Sequence, residues 1–126
     1  MAFYLEKRKT VSTPYVLIDE EKGYMKLEGR SYSEDIVDFF GEIAEWLETY
    51  LKTDFKKFIF DCQMDYFNSS TVKILLNMIE KMDRYSAEEN KVIINWITTY
   101  DNEIIIECGE DLKEDIENLE FNFKIV

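Results

Sequence analysis

Between Ile36 and Ile97 the hydrophobic period of the chain switches repeatedly between helix-like and strand-like, and this alternation limits the fold more than any other feature. Ile36, Phe39, Phe40, Ile43, Trp46, Leu47 and Tyr50 recur at steps of three and four, with Glu42, Glu45, Glu48 and Thr49 on the opposite side. That spacing predicts an amphipathic helix. Residues 57–62 change to a period of two: Phe58, Phe60 and Cys62 share one face, and Ile59 implies partial cover on the other. Residues 71–85 return to helical spacing through Val72, Leu75, Leu76, Ile79 and Met82. The run KVIINWI at 91–97 has the length and apolarity of a central parallel strand. Strands separated by helices imply parallel crossovers of one hand.

The flanks complete the pattern. Residues 15–18 read as a strand, 19–23 as a turn and 24–29 as the return strand of a hairpin. Ser31 with Glu34 has capping-box spacing for the first helix, and Ser33 is a competing cap. Residues 102–117 are ambiguous. Ile104-Ile105-Ile106 has strand propensity, whereas Ile105, Cys108, Leu112 and Ile116 keep helical spacing. A helix is expected there, although Gly109 costs it ~1 kcal/mol relative to alanine. Residues 119–126 alternate and close the chain as a strand. The expected order is β-β-α-β-α-β-α-β: one α/β domain over residues 1–126, a mixed sheet with an antiparallel edge hairpin, and helices mainly on one face.

Charge and residue inventory narrow the function. Fifteen basic against 27 acidic residues leave a net charge of −12. Such a field repels phosphate backbones and anionic lipid, so neither nucleic acid nor membrane is expected as a partner. The N-terminal MAFYLEKRKT lacks the apolar run of a signal peptide, and no segment approaches ~20 uninterrupted apolar residues. Cys62 and Cys108 read as buried reduced thiols of a cytoplasmic protein. Histidine is absent, which removes Ser-His-Asp and Cys-His catalysis and most zinc sites. Neither a GxxxxGK[ST] loop nor a GxGxxG turn occurs. No enzyme, cofactor or metal is expected. The one competing enzyme reading, Mg²⁺ at Asp61 and Asp65, has no supporting ligand spacing.

Residues 65–69 link the carboxyl end of a strand to the amino end of a helix, where open α/β sheets place functional sites. Asn68-Ser69-Ser70-Thr71 stand at that helix start. In the plainer reading Asn68 or Ser69 caps the helix, an interaction worth ~1 kcal/mol, and the other hydroxyls are solvated. In the functional reading Ser69 accepts a phosphate, with Ser70 or Thr71 as alternatives. The phosphate adds about −1.5 to −2 charges, tolerated by the helix amino end and by Lys73 one turn along. A partner docking there would have to desolvate or expel it. A penalty of ~3 kcal/mol lowers affinity about a hundredfold.

These residues carry a family resemblance. Ser12-Thr13-Pro14 precedes the first expected strand. Gly29-Arg30-Ser31-Tyr32-Ser33-Glu34 leads into Phe39-Phe40 and Trp46-Leu47. Tyr66-Phe67-Asn68-Ser69-Ser70-Thr71-Val72-Lys73 resembles a phosphoacceptor segment, and Asp101-Asn102-Glu103 with Glu107-Cys108-Gly109-Glu110-Asp111 an acidic third helix. In this order they resemble the SiaC-family regulatory phosphoproteins, which are akin to STAS domains and anti-sigma-factor antagonists. Two positions depart from the pattern. Ser33 stands where the family often has proline, and Ser69 stands where a well-known member carries a phosphorylated threonine. The resemblance implies a STAS-like fold, a serine/threonine kinase of the anti-sigma type, a PP2C-like phosphatase, and a diguanylate cyclase bound by the unmodified form in cyclic-di-GMP and biofilm signalling. An anti-sigma-factor antagonist in a stress circuit is the alternative. Ser69 is then the phosphoacceptor, with Tyr66, Phe67, Asn68, Ser70, Thr71 and Lys73 as candidate partner-binding residues.

Overall fold

The computed structural model describes residues 2–126. Strands β1 (Tyr4–Lys7), β2 (Tyr15–Asp19) and β3 (Tyr24–Ser31) lead into helix α1 (Ile36–Leu51). Strand β4 (Lys57–Phe67), helix α2 (Ser69–Tyr85), strand β5 (Lys91–Thr98), helix α3 (Glu103–Glu114) and strand β6 (Glu120–Ile125) follow. The six strands form one sheet in sequential order, antiparallel from β1 to β3 and parallel from β3 to β6. The mixed α/β sheet, the parallel crossovers and the helical reading of 102–117 all agree with the expectation. Among the described residues, no helix is long and apolar enough to cross a membrane.

The expected order lacks β1. Its short, charged sequence YLEK has little intrinsic pattern, and it becomes a strand only by pairing Leu5 with Ile18 and Lys7 with Val16. Charged, short segments are typical of sheet edges, where they discourage pairing with other chains.

All three helices cover one face. Val16, Ile18, Met25, Leu27, Phe58, Phe60, Val92, Ile94, Trp96 and Phe121 point toward them and form the core with Phe40, Ile43, Leu47, Leu75, Met78, Met82 and Ile105. Two details of the expected apolar faces change: Leu76 is exposed, and Met78 takes the inward position. Gly109 is required by packing, despite its cost to the helix. A Cβ there would lie 2.5 Å from the Trp96 indole nitrogen, which donates to the Ile105 carbonyl at 2.9 Å. The uncovered face carries a polar ladder instead. Tyr24 donates to Asp61 at 2.7 Å, Asn95 donates to the other Asp61 oxygen at 2.7 Å, and Asn122 donates to Asn95 and Glu120. Burial and the Asp61 bond push the Tyr24 hydroxyl well above its ordinary pKa. Burial likewise raises Cys62. Cys108 is only half-buried, a correction to the expectation of two buried thiols, and desolvation raises its pKa as well.

Candidate functional site

The site lies at the carboxyl ends of the parallel strands and is built by an irregularity in β4. Gly29 pairs with Met64 but Arg30 pairs with Tyr66, so Asp65 is an extra residue on β4. Such a bulge reverses the in–out alternation beyond it. Met64 and Phe67 therefore both face the helices, while Asp65 and Tyr66 face outward. Gly29, in β3 at the register shift, has φ +118°, a conformation that side-chain-bearing residues rarely adopt. The strand runs to Phe67, so Asp65, Tyr66 and Phe67 belong to β4 and not to the expected loop.

Asn68 is the sole connecting residue. Its backbone N–H donates to the Ser31 carbonyl, and its side-chain oxygen accepts from the Thr71 amide at 2.9 Å and from the Thr71 hydroxyl at 2.9 Å. Asn68 is thus the helix cap. Ser31, expected to cap α1, ends β3 as a fully buried residue and donates to the Thr71 hydroxyl at 2.7 Å. Helix α1 starts after Asp35, without a side-chain cap, and the Ser33 hydroxyl accepts from the Asp35 amide.

The six expected docking residues and the expected acceptor therefore separate. Thr71 is fully buried and its hydroxyl is consumed internally, so it presents nothing to a partner or a kinase. Phe67 is 8% exposed and packs edge-on to Trp96, so it is a core residue. Asn68 is half-buried as the cap. Ser69, Ser70 and Lys73 are exposed, and Tyr66 is 41% exposed. The Ser69 hydroxyl and the amides of Ser69 and Ser70 have no hydrogen-bond partner among the described residues. The α2 amino end therefore offers unused donors next to an accessible hydroxyl. The Mg²⁺ reading fails geometrically. Asp61 commits both oxygens to Tyr24 and Asn95, and Asp65 lies four residues further along the strand, roughly 13 Å at ~3.3 Å per residue.

Three further features sit at this end. The Arg30 guanidinium lies over the Tyr66 ring at 5.2 Å and the Tyr32 ring at 5.7 Å, and the two rings meet edge-on at 5.9 Å. Asn102, the cap of α3, donates to the Asp65 carbonyl at 3.0 Å and brings α3 alongside. Exposed apolar side chains gather here too: Val37 at the start of α1, Tyr32, Tyr66, Tyr100, and Ile104 at the start of α3. Sequence reasoning missed Arg30 as a site residue. Its place in GRSYSE signals a strand end, but only the register with Tyr66 brings the cation onto the rings.

Comparison with known proteins agrees with this architecture. The chain is 26% identical over 106 residues to an uncharacterised protein of Pseudomonas aeruginosa strain UCBPP-PA14, covering 84% of each. The crystal structure of apo-SiaC from Pseudomonas aeruginosa superposes with a TM-score of 0.86 at 24% identity, over 97% of this chain and 98% of that one. A chain in the crystal structure of the diguanylate cyclase SiaD with its activator SiaC, from the same organism, superposes with a TM-score of 0.89 at 24% identity, over 97% and 99%. The model of the SiaC family regulatory phosphoproteins matches residues 7–126, and the chain belongs to that family.

Proposed function

We propose that the protein is a partner-switching phosphoprotein without catalysis of its own, in which reversible phosphorylation of Ser69 controls docking to a diguanylate cyclase. One observation carries the reading. Within the hydroxyl cluster the cap and the buried pair occupy Asn68, Thr71 and Ser31; the hydroxyls of Ser69 and Ser70 are left exposed and without an internal bond among the described residues, and Ser69 holds the first position of α2. A phosphate on Ser69 meets free amide donors and the positive end of the helix dipole, so the fold accommodates it. The same phosphate places a strongly hydrated dianion at the same end of the sheet as the exposed Tyr66, Tyr100 and Ile104. A kinase of the anti-sigma type would add the group and a PP2C-like phosphatase would remove it. The cyclase is named because the fold neighbour SiaC is described as the activator of SiaD.

Incubation with the kinase of the same genome, followed by peptide mass spectrometry, tests the acceptor. Phosphate is expected on the wild type and absent from Ser69→Ala, with Ser70→Ala labelled normally. Wild-type labelling of Ser69→Ala overturns the assignment. Co-purification of the unmodified protein with the cyclase, lost on phosphorylation, tests the switch.

A further inference from the structure

Among the described residues Arg30 is the one cation that stands over two aromatic rings. Five lysines form salt bridges, each with a carboxylate within 4 Å. Arg30, like the other seven lysines and the other two arginines, has no carboxylate within that distance among the described residues. Its guanidinium is held instead by two aromatic faces, Tyr66 and Tyr32, themselves in edge contact. Stacking on rings restrains a guanidinium while leaving its edge donors unused. An exposed arginine braced by two exposed tyrosines has the composition of an interface hot spot. The surroundings supply the rest of a docking surface: Tyr100 and Ile104 are largely exposed, and Asn102 ties their segment to β4.

Resting on the docking face proposed above, we propose that Arg30 is the specificity residue of that face and receives a partner's aspartate or glutamate carboxylate through its paired N–H donors. The chemistry follows from what is present and what is missing. A planar fork with no internal anion matches a planar carboxylate in two parallel hydrogen bonds. The rings on either side exclude water from the pair once the partner is seated. This explains how a protein of net charge −12 docks an acidic group: the repulsion is general, and one oriented cation selects a single carboxylate against it. It also separates the roles of the site. Ser69 decides when docking occurs, and Arg30 decides what docks.

The chain has only three arginines, Arg8, Arg30 and Arg84, so their side-chain Nε–H resonances form a small set with internal controls. Titration of the full-length protein with glutarate at constant ionic strength is expected to shift the Arg30 resonance saturably, at concentrations several-fold below those that move Arg8 and Arg84. Tyr66→Ala and Tyr32→Ala are expected to bring Arg30 to the level of the other two. Equal response of all three arginines in the wild type overturns the proposal. A second arm measures affinity for the cyclase. Arg30→Lys, which keeps the charge and loses the fork, is expected to bind about tenfold more weakly, and Arg30→Ala about a hundredfold. Unchanged melting temperatures identify these losses as docking effects. Wild-type affinity in both variants overturns the proposal while leaving the phosphorylation reading intact. Selective glutarate binding by a protein that never binds the cyclase overturns the choice of partner and leaves Arg30 as the carboxylate receptor.

Discussion

The two ends of α2 use polar groups in opposite ways. At its carboxyl end the Asp83 carboxylate accepts from three successive amides, Glu117 at 3.1 Å, Asn118 at 2.7 Å and Leu119 at 2.9 Å, and the Asn118 side chain donates to the Asp83 carbonyl. One side chain thereby fixes the turn that starts β6. At the amino end Asn68 and Thr71 satisfy each other, while Ser69, Ser70 and Arg30 keep donors and acceptors in reserve. A group whose bonds are all made inside the fold contributes stability. A group left unused in an ordered position is available to another molecule, so the contrast separates an end whose polar groups are spent inside the fold from one where some remain open.

The largest effect that could break this contrast is phosphorylation of Ser69. It is expected to lower cyclase affinity at least a hundredfold, about 3 kcal/mol, measured by calorimetry on phosphorylated and unmodified protein. The melting temperature should stay within a few degrees. Equal affinities would remove the switch, and a large loss of stability would mean that the amino end is structural after all.

Next in size is Asp83→Ala, which leaves three amides without their charged acceptor. It is expected to destabilise the fold by about 2 kcal/mol in urea denaturation and to leave cyclase affinity unchanged. Asp83→Asn keeps an acceptor without the charge and should lose roughly half as much. Asn68→Ala tests the capping element of the amino end. Loss of the cap should cost about 1 kcal/mol, because Thr71 keeps its bond to Ser31.

The smallest expected effect concerns the uncovered sheet face. The Tyr24 pKa is raised in the folded state above its ordinary value of 10.0, first by burial and then by the Asp61 bond. The unfolded chain therefore releases this proton at lower pH than the folded one. The associated stability is complete below pH 10 and is lost as pH rises beyond it. Tyr15, pushed up to about 12 chiefly by its bond to Glu6, adds to the same alkaline loss. Urea titrations at pH 8 and pH 11 should show a smaller decline in Tyr24→Phe than in the wild type. Identical declines would show that the Asp61 bond does not govern this titration.

Much of the scaffold was legible in the residues. The three-and-four spacing from Ile36 to Tyr50 specified α1, and the run at 91–97 specified a strand buried in the sheet, because periodicity reports directly on which side is covered. The hydroxyl cluster was legible as a helix start. Which of its members would be accessible was not. Ser31 has the spacing of a cap in sequence and lies buried in the structure, because its partner, Thr71, is 40 residues away. Tyr66 and Phe67 look equivalent in sequence, and the bulge at Asp65 sends one outward and the other into the core. Strand β1 was illegible for a similar reason, since its pairing with β2 and not its own pattern makes it a strand.

The amino-acid sequence by itself determined the alternation of strands and helices, the acidic surface and the family, because each depends on residue type and local spacing. Only the tertiary structure decided that Ser69 is open while Thr71 is sealed, and that Arg30 rests on two tyrosines with no carboxylate beside it. Those outcomes depend on strand register, and a shift of one residue exchanges the two faces of a strand.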